Sequence, residues 1–277
     1  MKIAIQGIAG SFHHAAAETL LSKEINLVPC QSFRQVFEAV SFTDIDRGLA
    51  AIENSLYGSI NETYDLLQKY DNWIVGEVYE HVSFGLFSIP GAKLDDISDV
   101  YSQSPALAEC REYLAKEVSW ASQHEVYDTA AAAQLVADAG SNKKAAIASY
   151  KAAQLYGLVP VADHIEDNKH NYTRFILLSK HRVKLLDANK SSIILQTDHT
   201  SGALHKALGM FAKADINLSK IESRPIPDAT WNYTFYIDYE AAIESPESVA
   251  VIEQLEQAGY TVTQLGSYQK ANLPTID

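Results

Sequence analysis

Short apolar runs alternate with helix-length amphipathic stretches through residues 1–180, and this alternation restricts the possible folds more than any other feature of the chain. KIAIQ, LAAIEN, WIVGEVYEHVSFGLFSI and DVYSQ have the length and apolar density of strands. FRQVFEAV, NETYDLLQKY, PALAECREYLAKE, TAAAAQLVADAG and SYKAAQLYG carry apolar residues at helical spacing. Strands separated by helices predict an α/β fold of largely parallel sheets with helical crossovers. The charged stretch SKHRVKLLDANKS, residues 179–191, loses this period and marks a domain boundary. Beyond it, SSIILQT, GALHKALGMFAKA, INLSKIESRPI, WNYTFYIDY, ESVAVIEQLEQAG and YTVTQLGSY give the order β-α-β-β-α-β, a ferredoxin-like split unit. In WNYTFYIDY, Trp231, Tyr233, Phe235, Ile237 and Tyr239 share one face and Asn232, Thr234 and Asp238 the other, the pattern of a half-buried strand.

Composition narrows the functional classes. With 35 acidic and 22 basic residues the chain carries a net charge of −13, which repels a phosphate backbone and argues against nucleic-acid binding. No apolar run approaches the length of a membrane span, and the N-terminal stretch, broken by Gln6, Gly7 and Gly10, does not read as a signal peptide. Cys30 and Cys110 lie far apart without a Cys-x-x-Cys partner, so neither a disulfide framework nor a zinc site is expected, and the cytoplasm is the expected compartment. His13, His14, His164, His170 and His181 lack metal-ligand spacing, and no metal is expected.

Polar groups gather at the ends of the apolar runs. HNYTRFILLS sets Asn171, Thr173 and Arg174 directly before a strand, at a sheet end where side chains can project toward a ligand or simply bond their own loop. AIENSLYGSINETYDLL places Glu53, Asn54, Ser55 and Gly58 ahead of a helix, with Ser59 and Glu62 at capping-box spacing. Ser102, Ser104 and Pro105 form a second helix entrance, and the glycine turn 7–10 with Ser11 as cap forms a third. Converging helix N-termini can hold an acidic ligand, although capping alone also accounts for each. The glycine turn lacks the spacing of a dinucleotide or P-loop motif.

Taken together these motifs resemble the prephenate dehydratase family over essentially the whole chain. The family's Glu-Asn-Ser-x-x-Gly stands at 53–58, its Thr-Ala helix opening at Thr129-Ala130 after Asp128, and its Asn-x-Thr-Arg-Phe at 171–175. The C-terminal half resembles an ACT regulatory domain, with Gly-Ala-Leu at 202–204 and Glu-Ser-Arg-Pro at 222–225. The resemblance implies a catalytic domain, 1–182, folded like a type II periplasmic binding protein, with lobe one at about 1–77 plus 162–182 and lobe two at about 78–161. A ferredoxin-like ACT domain would follow at 190–277. The implied reaction converts prephenate to phenylpyruvate, water and carbon dioxide without a cofactor, under feedback by L-phenylalanine.

By the same resemblance Thr173, Glu53 and Asn54 are the expected catalytic residues. Ser11, Ser55, Ser102, Thr129, Asn171, Arg174 and Phe175 are the expected substrate contacts, with Arg174 as the cation for a carboxylate. Gly202, Ala203, Leu204, Glu222, Ser223, Arg224 and Pro225 are the expected phenylalanine contacts, at an interface between subunits of a homodimer or homotetramer. Arogenate dehydration and non-catalytic amino-acid sensing are the alternative functions. Three positions depart from the family pattern. Gly7-Ile8-Ala9-Gly10-Ser11 lacks its proline, His205 follows Gly-Ala-Leu, and Glu109 replaces a glutamine. A carboxylate at that last position repels a dianionic substrate unless it is protonated or paired.

Overall fold

The computed structural model describes residues 1–21, 24–226 and 233–274. In chain order its elements are β1 (Lys2–Gln6), α1 (Phe12–Leu20), β2 (Asn26–Cys30), α2 (Phe33–Phe42), β3 (Arg47–Asn54), β4 (Gly58–Ser59), α3 (Asn61–Lys69) and β5 (Trp73–His81). There follow β6 (Gly85–Ser88), β7 (Asp99–Ser102), α4 (Ser104–Glu109), α5 (Arg111–Glu117), β8 (Ser122–Glu125), α6 (Thr129–Ala139), β9 (Lys144–Ala148), α7 (Tyr150–Leu155) and β10 (Val159–Ala162). The chain ends with β11 (Tyr172–Ser179), β12 (Lys190–Gln196), α8 (Ala203–Lys213), β13 (Leu218–Pro225), β14 (Tyr233–Tyr239), α9 (Pro246–Gln257) and β15 (Thr261–Tyr268).

Lobe one is built on the sheet β2-β1-β3-β11-β5, with β4 hairpinned onto β3, and lobe two on the sheet β10-β6-β9-β7-β8. Both sheets are mixed rather than largely parallel. In the first, β1 runs parallel to β2 and β3, while β11, the strand that returns from lobe two, lies antiparallel between β3 and β5. In the second, β7 runs parallel to β8 and β9, while β6 pairs antiparallel with β9 and β10. The expected lobe boundary at 77/78 falls inside β5, which continues to His81 before the chain crosses.

The strands that the apolar pattern does not reveal are mostly edge strands. Pro29 sits in β2 and Pro160 in β10, both at sheet edges, where a missing N–H costs no ladder bond. The edge strand β8 reads SQHE and buries almost nothing.

The third sheet has the order β13-β14-β12-β15, antiparallel throughout, and with α8 and α9 it forms the βαββαβ unit. Ala207, Phe211, Val251, Ile252 and Leu255 of the two helices pack on Ile193, Leu195, Ile237 and Tyr239. The opposite face of the sheet lies against lobe one: Ile194, Tyr236, Leu265 and Tyr268 share a core with Phe37, Tyr64, Ile74 and Ile176. The strand β14 is therefore buried on both faces instead of one. Thr234 is as buried as Ile237, Asp238 is buried too, and the Tyr236 hydroxyl donates to the Tyr64 carbonyl at 2.7 Å. Trp231 and Asn232 lie outside the described residues. β15 approaches β5 so closely that a Cβ at Gly266 would overlap the Ile74 carbonyl. No helix among the described residues is long and apolar enough to cross a membrane.

Candidate active site

The pairing of β3 with β11 sets the site. Thr173 lies opposite Asn54 and Arg174 opposite Glu53, so each pair projects from one face of the sheet. The register then slips, Phe175 pairing with Ala51 and leaving Ile52 as the extra residue of a β-bulge. Because of that bulge Ala51 and Asn54, three residues apart, both line the cavity between the lobes, as do Thr173 and Phe175.

The cavity encloses about 550 Å³. Lobe one contributes Gln6, Ser11, Phe12, His13, Phe33, Asn54 and Thr173 to its wall, and lobe two contributes Phe84, Gln103, Pro105, Glu109, Asp128 and Thr129. Asn54 organises the polar end. Its Oδ1 accepts the N–H groups of Leu56 and Tyr57 at 2.9 and 3.0 Å, and its Nδ2 donates to Asn171 Oδ1 at 2.7 Å and Thr173 Oγ1 at 3.1 Å. Asn171, fully buried, passes the chain on by donating to Glu109 Oε2 at 2.6 Å. Polar contacts thus run from Thr173 across the cleft to lobe two.

Helix N-termini open on the cavity, those of α1 and α6 with side-chain caps and that of α4 through Gln103, Ser104 and Pro105. Ser11 caps α1 by accepting from the His14 N–H, and Asp128 caps α6, with Thr129 as its first residue. The turn 7–10 reaches lobe two: Ile8 N–H donates to Asp128 Oδ2, the Tyr156 hydroxyl to the Ala9 carbonyl and the Ser149 hydroxyl to the Gly10 carbonyl. Gly7 has φ +92°, and a Cβ there would stand 2.7 Å from Asp128 Oδ2. These cross-lobe bonds tie a turn that lacks proline to lobe two.

Among the described residues the cavity wall carries no Lys or Arg. Burial pushes the Glu109 carboxyl up to about 7, with the Glu166 charge acting in the same direction and the Asn171 hydrogen bond against it. Burial also raises the Asp128 carboxyl, opposed by backbone N–H groups, and pushes the His13 imidazole down to about 3. His13 packs edge-on against Phe175, ring centroids 4.8 Å apart, and its Nε2 has no hydrogen-bond partner among the described residues.

The family model described as prephenate dehydratase matches residues 3–183. The chain belongs to the prephenate dehydratase family. It is 38% identical over 280 residues to "Arogenate dehydratase/prephenate dehydratase 2, chloroplastic" of Arabidopsis thaliana, covering 97% of this chain and 72% of that protein. It is 34% identical over 273 residues to the bifunctional chorismate mutase/prephenate dehydratase of Aquifex aeolicus (strain VF5), covering 99% and 75%. Its fold matches that of a prephenate dehydratase from Arthrobacter aurescens in complex with L-Phe, with TM-score 0.86, 27% identity and coverage of 98% and 90%. It also matches GqqA, described as a novel type of quorum quenching acylase, with TM-score 0.85, 29% identity and coverage of 97% and 98%.

Of the residues expected from prephenate dehydratase motifs, the structure brings Ser11, Asn54, Thr129, Thr173 and Phe175 to the cavity wall, with Asn171 directly behind them. Four others lie elsewhere. Arg174 points to the opposite face of β11, where it is 3% exposed and bonded to Glu77, Asp238 and Tyr268; strand alternation takes it away from the cleft that Thr173 faces. Glu53 alternates with Asn54 in the same way and pairs with Lys220 of β13 at 2.6 Å. The Ser55 hydroxyl is spent on backbone, accepting from Tyr172 N–H and donating to the His170 carbonyl. Ser102 is buried against the Ile147 carbonyl at 2.7 Å.

The capping box is absent too. Ser59 lies in β4 and bonds Glu222, while α3 has Ile60 as its N-cap and no side-chain cap. Phe12, His13, Phe33, Tyr57 and Gln103 are wall residues that no motif assigns to the site. Asp128 opens the motif that continues with Thr129-Ala130 and is not among the expected contacts. In the C-terminal unit Ala203 borders a cavity of about 270 Å³ with Asp198, Lys206 and Tyr260. Arg224 and Pro225 border a different one with Asp65 and Gln68. Glu222 faces Ser59, and Arg224 holds Asp65 through two contacts of 3.0 Å.

Proposed function

We propose that this protein catalyses the decarboxylating dehydration of prephenate to phenylpyruvate and is inhibited by L-phenylalanine. The observation that carries the reading is the Asn54–Thr173–Asn171 cluster at one end of an apolar cavity between two lobes. The reaction consumes one proton and releases water and carbon dioxide. Electrons from the breaking carbon–carboxylate bond enter the ring as the hydroxyl leaves, so the ring becomes aromatic without an external electron carrier. Thr173, whose oxygen already accepts from Asn54, has its own hydrogen left to bond the leaving hydroxyl and is the residue through which the proton passes. The N-termini of α1 and α6 supply backbone N–H groups for the carboxylates. Phe12, Phe33, Phe84 and Phe175 surround the substrate with apolar surface, an environment that favours a departing neutral carbon dioxide over a charged carboxylate.

The test is to incubate the purified protein with prephenate, with and without L-phenylalanine, and to follow phenylpyruvate as its enolate in alkali. Turnover suppressed by L-phenylalanine is the expected result, and turnover without suppression removes the regulatory half of the reading. Arogenate is the second substrate to assay. A wall with two carboxyls and no Lys or Arg among the described residues suits an ammonium-bearing substrate, and higher kcat/KM on arogenate would transfer the assignment to it. Absence of turnover on both would leave an amino-acid sensor.

The C-terminal unit is read as an ACT domain. Residues 202–204 and 222–225 meet different surroundings within one chain, so a phenylalanine site using both stretches requires a second copy, as in a homodimer or homotetramer. Regulation then reaches the site through Lys220 and Glu222, which grip Glu53, one residue from Asn54, and Ser59 of β4 just ahead of α3. Lys220→Met is expected to keep uninhibited turnover while raising the half-inhibiting L-phenylalanine concentration about 5-fold or more, within the usual 1–3 kcal/mol of allosteric coupling. Unchanged inhibition would rule out this route. With Cys30 and Cys110 both unpaired and buried, the reading places the enzyme in the cytoplasm.

A further inference from the structure

Glu109 stands at the C-terminal end of α4, on the lobe-two wall of the cavity, where it meets the polar chain from Thr173. Its main chain is anchored, because its carbonyl accepts the Asp167 N–H at 2.7 Å. One carboxyl oxygen, Oε2, accepts from Asn171, and Oε1 makes no hydrogen bond among the described residues. The side chain therefore bonds the protein through one oxygen and keeps the other free of hydrogen bonds among the described residues, on a wall of the cavity.

The surroundings oppose a charge on it. From the segment after β10 come Glu166, which accepts from Ser83 Oγ and Phe84 N–H, and Asp167, which accepts from the Glu112 N–H of α5. His164 lies 3.8 Å from Glu166. The loop after β3 brings Tyr57, whose phenol is raised by burial and by the Glu109 and Asp167 charges. The adjoining Cys110 thiol is raised by burial and the same acids. The same cavity is lined by Asp128 of α6, also on lobe two, and from lobe one by the uncharged imidazole of His13 on α1. No Lys or Arg lines this wall among the described residues. A substrate bearing two carboxylates adds further negative charge, so its entry raises the cost of ionising Glu109 again.

A protonated carboxyl offers one oxygen acceptor and one hydrogen donor, the same pair as a primary amide. In that form Glu109 accepts from Asn171 through one oxygen and donates to a substrate oxygen through the other. We propose that Glu109 is a substrate-contacting residue that works only as the neutral carboxyl, so that the cleft takes its dicarboxylate substrate with uptake of a proton. This rests on the dehydratase reading above and assigns to that site a requirement for a proton in binding, separate from the proton consumed in the chemistry.

The sign follows from the direction of the shift. A carboxyl raised to about 7 is neutral below that pH and ionised above it, so binding weakens as pH rises through about 7. The measurement is kcat/KM on prephenate from pH 5.5 to 9 for the wild-type protein and Glu109→Gln. The wild type is expected to lose about tenfold per pH unit on the alkaline side, the loss appearing in KM more than in kcat. Glu109→Gln, which keeps the donor and acceptor without the titration, is expected to lack this limb and to exceed the wild type about thirtyfold at pH 8.5, the difference narrowing as the pH falls through 7.

A second readout does not depend on that variant. Prephenate binding to Thr173→Val at pH 8, followed by calorimetry in two buffers of different ionisation enthalpy, is expected to take up nearly one proton per site. Wild-type turnover with the same alkaline limb in Glu109→Gln, or binding without proton uptake, overturns the proposal and leaves the dehydratase reading intact. A Glu109→Gln protein impaired on arogenate alone also overturns it, because Glu109 would then be an ionised partner for the ammonium group. Absence of wild-type turnover on both prephenate and arogenate overturns the dehydratase reading and this proposal together.

Discussion

Thr173→Val is expected to lower kcat on prephenate by about 10²–10⁴-fold while leaving the protein folded, the range typical of a positioned proton-transfer group. Valine keeps the β-branch that suits β11 and removes only the hydroxyl. Asn54 retains its bonds to Asn171 and to the Leu56 and Tyr57 N–H groups, so the end of the cavity keeps its shape. The loss is therefore expected in kcat and kcat/KM together, as for an interaction made in the transition state. A rise in KM with kcat unchanged would make Thr173 a binding residue only. Activity within about threefold of wild type would remove it from the mechanism.

Arg174→Met carries the largest expected loss of stability, about 3–5 kcal/mol, as is usual when one partner of a buried ion cluster is removed. The guanidinium reaches Glu77 through Nε at 2.8 Å and Nη2 at 2.7 Å, Asp238 through Nη1 at 2.6 Å and the Tyr268 hydroxyl at 3.1 Å. Methionine fills much of the volume but leaves Asp238 to Ser192 alone and Glu77 to Lys190 and the Ala271 N–H. Burial works against the Asp238 charge, yet Arg174 and Lys190 hold its carboxyl below the usual range. That contribution is complete above the ordinary carboxylate pKa and is lost as pH falls through the lowered value, so the gap between wild type and variant narrows in acid. Urea denaturation at neutral and acidic pH measures both effects. A loss under about 1 kcal/mol with a raised KM would instead return Arg174 to the cleft as a substrate ligand.

Arg174 also shows where the sequence stops being legible. The motif at 171–175 reads as a segment ahead of a strand, but β11 already begins at Tyr172, so Thr173 and Arg174 lie within it and strand periodicity makes them face opposite ways. Periodicity does not say which face meets the cleft, and a basic residue beside an anionic site suggests the wrong one. Glu53 and Asn54 repeat the ambiguity on the partner strand. In β14 the polar side of the alternation suggests solvent, but Thr234, Tyr236 and Asp238 face lobe one. Ser59 and Glu62 have helix-capping spacing, but pairing of β4 with β3 turns the serine toward β13.

Helices are legible where burial on one side imposes a 3.6-residue period, as at Val36, Phe37 and Val40 of α2, although PALAECREYLAKE, which reads as one helix, breaks at Cys110 into α4 and α5. The β-α-β-β-α-β order was readable for the same reason. His13 carries no local signature, since its environment is made by distant segments such as Phe33 and Phe175.

The core that Ile194, Tyr236, Leu265 and Tyr268 share with Phe37, Tyr64, Ile74 and Ile176 makes the two halves of this protein thermodynamically one. Cutting the chain between them would strand apolar surface and a buried ion cluster on both fragments. The segment that separates them in sequence is a covalent convenience rather than an energetic seam. Lobe one and the C-terminal unit are then expected to melt together, and whatever tightens the C-terminal unit also holds lobe one folded.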